Sequence, residues 1–359
     1  MLVPLQAETQ HDLDFCIGQM LMVGFRGLEL DSEDPFLKQV GSLQLGGTIL
    51  FDYDVPSRTP LRNIQSSGQI RALTRALQAA AETPLLIAID QEGGRVNRLK
   101  PRFGFPESKS QAELARMDDE QQTRLQAKTT ARLLFDLGIN LNFAPVLDLA
   151  VHPGNPIIAQ LERSYSDEPA MVEKHARWTI EEFHRAGVLV AVKHFPGHGS
   201  SREDSHLGLP DVSDHWTPVE LQPFAALVRQ GLPDMVMTAH LFNRHWDPEL
   251  PATLSQQVIG QMLRAQIGFE GVVVSDDMQM GAITSKFSLE EAIEKAVWAG
   301  VDLLTFANNS VYDDQIAPKA TSILKGLVWT GRVPEQWIRQ SCRRILELKE
   351  RIAQGGMNR

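Results

Sequence analysis

The 359-residue sequence predicts one (β/α)8 barrel, and three observations carry that prediction: eight short apolar runs, helical periodicity between them, and polar residues where most of the runs end. The runs cover residues 20–25, 48–51, 85–89, 141–146, 189–192, 235–239, 272–274 and 303–306, and they have the character of strands buried on both faces. Leu221, Phe224, Ala225 and Val228 recur at i, i+3, i+4 and i+7, the stripe of a helix laid on a sheet. Thr217 with Glu220, Thr253 with Gln256 and Ser288 with Glu291 each read as a capping box that starts a helix. The stretch 334–352 reads as a terminal helix packed outside the barrel, and no proline-rich linker or tandem repeat divides residues 1–359 into further units. A doubly wound open sheet would need a glycine-rich phosphate turn after the first strand, which Gly24-Phe25-Arg26-Gly27 does not supply.

Composition narrows the function. With 43% hydrophobic and 22% charged residues the chain can bury a large core, as a soluble enzyme does. A formal charge of −10 disfavours phosphate backbones, so no nucleic-acid partner is expected, and no membrane partner either. Cys16 and Cys342 are the only cysteines, which suits a reducing compartment and offers no cysteine-based metal cluster. Residues 1–12 lack a basic segment followed by an apolar one, so the expected location is the cytoplasm.

In a barrel of this kind the working groups sit at the carboxyl ends of strands. The third run ends in Asp90-Gln91-Glu92-Gly93-Gly94-Arg95, the fifth in Lys193-His194, the sixth in His240, the seventh in Ser275-Asp276-Asp277 and the eighth in Asn308-Asn309. Singly, each is explained as a cap or a loop hydrogen-bonder. Gathered on one rim, they form a costly collection of charges unless a ligand or partner charges compensate them.

The segment Lys193-His194-Phe195-Pro196-Gly197-His198-Gly199, running on to Asp204-Ser205-His206, resembles the β-N-acetylglucosaminidase branch of glycoside hydrolase family 3. The resemblance extends from about Gly18 to Gly300, through 90–98, 140–148, Arg163-Ser164-Tyr165 and 271–280. It implies a retaining exo-β-N-acetylglucosaminidase that needs no cofactor and no metal, acts on a small carbohydrate and is expected to work as a monomer. It further implies Asp276 as nucleophile, Asp204 and His206 as an acid/base dyad, and Asp90, Arg98, Arg163, Lys193 and His194 as the residues that hold the sugar. The resemblance also implies a cytoplasmic role in trimming N-acetylglucosamine from peptidoglycan fragments during cell-wall recycling, with chitooligosaccharides as the second candidate substrate.

The residues are chemically suited to those roles. Retaining hydrolysis needs one carboxylate to attack the anomeric carbon and a proton donor that later serves as base towards water. Histidine, with an ordinary pKa near ~6.5, gives and takes a proton at neutral pH with little tuning. Asp204, two residues earlier, can fix its tautomer. Arg98, Arg163 and Lys193 suit donation to sugar hydroxyls and Asp90 suits acceptance from them; the competing reading pairs Asp90 with Arg95 or Arg98 and Lys193 with a core carboxylate. Alternation along the seventh run puts Asp276 on the face of Val272 and Val274 and Asp277 on the other, and strand ends that twist or bulge leave the choice open; the resemblance selects Asp276.

Gly197, Gly199 and Gly208 suggest a mobile loop around the dyad, and His198 reads as a holder of the 196–199 turn. Ser200 departs from the family, where many members carry aspartate, and so does the lack of a further C-terminal domain, which would leave the acid/base to the barrel itself. A metal-dependent hydrolase is disfavoured because no paired histidines follow the first run. A non-catalytic sugar-binding barrel would keep the ring contacts but lose the nucleophile or the acid, and both are present; a β-glucosidase is disfavoured by the resemblance of Asp204-Ser205-His206.

Overall fold

The computed structural model describes residues 12–205 and 208–357, with side chains described to residue 352. Eight strands, β1 Leu21–Gly24, β2 Gly47–Leu50, β3 Leu86–Ile89, β4 Leu141–Asn142, β5 Leu189–Phe195, β6 Met235–Thr238, β7 Val272–Val274 and β8 Leu304–Phe306, follow the eight apolar runs. All pairings are parallel, in the order β7-β6-β5-β4-β3-β2-β1-β8. The ring closes where Val274 bridges Leu303, with Leu303 N donating to Val273 O at 3.0 Å and Ser275 N to Leu303 O at 2.9 Å. The expected (β/α)8 barrel is therefore the fold. Every strand residue is buried, which is why the sequence shows continuous apolar runs instead of alternation.

Two strands depart from expectation. β4 stops at Asn142 although the apolar run continues to 146, because Pro145 has no N–H for a ladder and the side chains of Asn140 and Asn142 take over the pairing. Asn140 bonds Leu85 O and Ile87 N, both at 2.8 Å, and Asn142 bonds the N–H and C=O of Gln91 at 3.0 Å. β5 runs three residues beyond its apolar run, and its register against β6 shifts between Val192 and Phe195. Strict alternation is broken there, and the two neighbours Lys193 and His194 both reach partners at the carboxyl end.

Of the three expected capping boxes, only Ser288 with Glu291 forms, at the start of the helix Leu289–Ala299. Thr253 has its hydroxyl engaged by Thr238, His240 and Ala239 O, and a π-helical segment, Gln257–Ile267, follows. Thr217 makes no side-chain cap, and Glu220 is turned inward instead, 1% exposed. In the adjoining helix Gln222–Arg229 the buried residues are Pro223, Phe224, Ala226 and Leu227, so the buried face is rotated from the expected stripe and shares only Phe224 with it.

The last helix, Glu335–Met357, lies across the amino-terminal end of the barrel, against the helix Leu13–Gln19. Ser341 and Arg344 donate to Asp302 at the foot of β8 at 2.8 and 2.9 Å, and Lys349 Nζ donates to Gln19 Oε1 at the foot of β1 at 2.6 Å. No described helix is long and apolar enough to cross a membrane.

Burial pushes the Lys349 ammonium down to about 7. A lysine whose folded pKa lies below its unfolded value of about 10.4 destabilises the fold fully below the folded pKa, and the penalty fades as pH rises towards the unfolded one. The melting temperature of Lys349→Met relative to the parent should therefore shift by several degrees in the parent's favour between pH 6.5 and 9.5. An identical difference at both pH values would contradict the buried charge.

Candidate active site

At the carboxyl end of the barrel, β3 leads directly into Asp90, Gln91 and Glu92, and β5 carries Lys193 and His194. Lys193, whose side chain is 2% exposed, places Nζ 2.7 Å from Asp90 Oδ1 and 2.7 Å from Glu92 Oε1. Glu92 in turn receives Arg163 through Nε and Nη2, both at 2.7 Å, the planar fork of a bidentate pair. Arg163 Nη1 donates to Ile157 O at 3.0 Å, which ties the guanidinium to its own loop. The second oxygen of Asp90 accepts from Arg98 Nη2 at 3.2 Å.

Burial by itself opposes ionisation of these carboxylates. Lys193 and Arg98 reverse that effect at Asp90, and Arg163 and Lys193 reverse it at Glu92, so both are held below the usual carboxylate range. Asp90, at 16% side-chain exposure, and Arg98, at 25%, are where this network meets solvent.

A second buried pair adjoins the first. Asp148, with no exposed side chain, lies 2.6 Å from His194 Nδ1 through Oδ2, while its Oδ1 accepts the backbone N–H groups of His194 at 3.2 Å and His198 at 2.7 Å. Burial opposes its charge, but the histidine contact outweighs burial and its pKa is lowered. A carboxylate can only accept, so the pairing assigns a proton to Nδ1. The ring's Nε2 lies 3.3 Å from Arg163 Nη2, which connects the two networks.

The two aspartates after β7 have different surroundings. Asp277, 8% exposed, accepts the backbone N–H groups of Gln279 and Ala307 through Oδ1, both at 3.0 Å, and its carbonyl accepts from His240 Nε2 at 3.0 Å. Its carboxylate thus ties the turn to the end of β8. Asp276 is half-buried and accepts the N–H of Asp277 at 2.7 Å.

Asp90, Arg98, Arg163, Lys193 and His194 are thus brought into one connected set. Asp276 stands on the same rim after β7, and Asp204, half-buried, on the loop after β5. His206 lies outside the described residues. The competing internal pairing is realised too: Asp90 pairs with Arg98, whereas Arg95 is exposed, and Lys193 pairs with Glu92.

Three residues to which the sequence assigned no role complete the arrangement. Glu92 lies two residues after Asp90, the spacing that returns a side chain to the same face of an extended segment. Asp148 closes the segment after β4. Asp52, 1% exposed, directly follows the second apolar run and takes Lys100 Nζ at 2.5 Å and Arg102 Nη2 at 3.1 Å, with Arg98 Nη1 at 4.0 Å, so that Arg98 is held between Asp52 and Asp90. Position after a run was the available signal for Asp52.

Two of the three loop glycines are explained by packing, whereas a Cβ on Gly208 would meet nothing within 4 Å. A Cβ on Gly199 would meet Leu149 O at 1.8 Å, and one on Gly197, at φ +117°, would meet Glu220 Cβ at 2.6 Å. His198 holds its turn through its backbone N–H and not through its ring.

The family described as "Glycosyl hydrolase family 3 N terminal domain" matches residues 12–348. The chain is 34% identical to beta-hexosaminidase A of Pseudoalteromonas piscicida, over 94% of this chain and 61% of that protein. It is 38% identical to a beta-hexosaminidase of Alkalilimnicola ehrlichii, over 80% of each. Among solved structures, a glycoside hydrolase family 3 beta-N-acetylglucosaminidase from Paenibacillus sp. str. FPU-7 superposes with a TM-score of 0.87 at 37% identity, over 96% of this chain and 63% of that one. The chain therefore spans less than two thirds of the length of the Pseudoalteromonas and Paenibacillus proteins.

Removing one member of a buried ion pair strands its partners, at a typical cost of ~3–5 kcal/mol. Glu92→Ala should lower unfolding stability by about that amount in urea melts at pH 7, because Arg163 and Lys193 both lose their shared carboxylate. A loss below ~1 kcal/mol would show that water replaces Glu92 without penalty.

Proposed function

We propose that the chain, which belongs to glycosyl hydrolase family 3, removes terminal β-linked N-acetylglucosamine from the non-reducing end of its substrate with retention of configuration. The observation that carries this reading is a rim on which Asp90, Arg98, Arg163, Lys193 and His194 form one charge-compensated polar surface, with two half-buried aspartates, Asp204 and Asp276, on the same edge. The names borne by the relatives agree with it.

In this reading Asp276 attacks the anomeric carbon. Asp277 is a poorer candidate, because one of its oxygens is already committed to two backbone N–H groups. His206, oriented by Asp204, gives its proton to the departing glycosidic oxygen as the C–O bond breaks, leaving a covalent ester between Asp276 and the sugar. The neutral imidazole then takes a proton from water, the water oxygen bonds to the anomeric carbon, and the Asp276 carboxylate leaves. Asp90 accepts from ring hydroxyls while Arg98, Arg163, Lys193 and His194 hold the sugar. Lys193 and Arg163 are already fixed by Glu92, so little ordering remains to be done on binding.

The natural substrate in this reading is a fragment of peptidoglycan, with chitooligosaccharides as the second candidate, and the enzyme works in the cytoplasm as a monomer. The buried thiols of Cys16 and Cys342 agree with a reducing compartment.

Asp276→Ala should abolish release of p-nitrophenol from the β-N-acetylglucosaminide while the thermal melt stays that of the parent. His206→Ala should lose ~10²–10⁴-fold on glycosides with poor leaving groups and far less on activated aryl glycosides. Equal losses on both would remove His206 from the acid role. The anomer first formed, read by proton NMR, should be β. Product analysis on a muropeptide fragment and chitobiose side by side separates the two substrates, and activity confined to the β-glucoside would overturn the assignment.

A further inference from the structure

The loop that carries Asp204 is fastened at its root by a carboxyl group from a different segment. Glu220 sits on the 3-10 turn Pro218–Leu221, which opens the helix Gln222–Arg229, and it is 1% exposed. Its Oε2 accepts the backbone N–H of Gly199 at 2.9 Å and of Ser200 at 3.3 Å. The fit is close, since Gly197 has no room for a Cβ against Glu220, and a Cβ on Gly199 would lie 3.2 Å from Glu220 Oε2.

From the opposite side, Asn155 Nδ2 donates to His198 O and Gly199 O at 2.8 and 3.0 Å. The turn carrying Glu220 is itself anchored to the barrel, because Phe224 packs edge-on against Phe195 of β5 with centroids 5.4 Å apart. Beyond Ser200 the loop folds on itself through Ser201 Oγ and Glu203 O at 2.9 Å, and Ser205 O then accepts the N–H of Ala282 at 3.3 Å, on the segment after β7. Asp204 lies between these two fastenings.

We infer that Glu220 is a positioning residue for proton transfer: its carboxyl clamps Gly199 and Ser200 and thereby fixes the loop that presents Asp204. The inference rests on the proposed function for the role of Asp204 but not for the clamp. Burial first, and then the charge of Asp148, push the Glu220 carboxyl up to about 8. The titratable group that acts on it is Asp148, after β4, and His198 directly precedes the clamped Gly199. Burial and the nearby His194 lower His198 to about 4, so it supplies no compensating charge.

Glu220 Oε1 also has no hydrogen-bond partner among the described residues, which makes an ionised carboxylate costly there. An acid whose pKa is raised in the closed loop and ordinary in the opened one loses closing free energy as pH rises from about 4.3 towards the folded value. The clamp therefore weakens with rising pH.

The test is Glu220→Ala and Glu220→Gln in the full chain, read by backbone hydrogen exchange and by kinetics. Glu220→Ala should speed exchange of the 197–205 peptide at least ~10-fold while β3 and β6 peptides stay unchanged. It should lower kcat on a poor leaving group at least ~10-fold with KM within about 2-fold. Glu220→Gln, whose amide accepts and donates as the neutral acid does, should restore both.

Unchanged exchange in Glu220→Ala overturns the clamp. Faster exchange with unchanged kcat upholds the clamp and instead overturns the catalytic part assigned to Asp204. If Glu220→Ala does not fold, the pH dependence decides: protection of 197–205, corrected for intrinsic exchange, should fall several-fold from pH 6 to 8 in the parent and stay level in Glu220→Gln. The same fall in both overturns the inference.

Discussion

The carboxyl end of the barrel depends on one constraint, the burial of Lys193 between two carboxylates. An ammonium that is 2% exposed would be prohibitively costly without compensation, and Asp90 and Glu92, each 2.7 Å away, provide it. Two carboxylates around one lysine leave one negative charge over; Arg163 answers Glu92, and Arg98, shared with Asp52, answers Asp90. The segments after β3, β4 and β5 are thereby locked together by the electrostatics of a single residue. Asp148 and His194 add a second buried pair that shares the edge of Arg163. Such a network is preorganised, because each donor is already aimed before any ligand arrives.

Residues of one type are set to different work by their surroundings. Asp277 is bound to two backbone N–H groups and ties β7 to β8, while the adjacent Asp276 remains half-buried at the rim. Asp148 is depressed by its histidine, whereas Glu220, comparably buried, is raised because burial and the like charge of Asp148 outweigh the donors of Gly199 and Ser200. The difference is a histidine ring N–H, 2.6 Å from Asp148, where Glu220 has a neighbouring carboxylate instead. The two histidines divide in the same way, with His194 held by Asp148 through its ring and His198 through its backbone.

The barrel itself was legible in the chain because its determinants are local. A strand buried on both faces must be apolar at consecutive positions, so the eight runs could be read off, and Ser288 with Glu291 could be recognised because a capping box spans only four residues. That Lys193, His194, Asp90 and Asp276 lie on the rim could be read from the chain because each sits at the carboxyl end of an apolar run. Boundaries followed less closely where a side chain replaced the backbone, as Asn140 and Asn142 do at β4.

What only the tertiary structure decided is which charge answers which. Lys193 meets a carboxylate 101 residues away and another 103 away, Arg163 pairs with Glu92 across 71 residues, and Glu220 leaves an expected capping role to hold a backbone 20 residues earlier. Nothing in the local spacing of those residues encodes such partnerships. They arise when barrel closure brings distant strand ends to one rim, and the cost of leaving a buried charge alone then selects the pairs. The sequence by itself determined the eight strands and the chemical groups at their ends; closure decided that Glu92, Asp148 and Glu220, none of them given a site role from the chain alone, are the groups that hold the others in place.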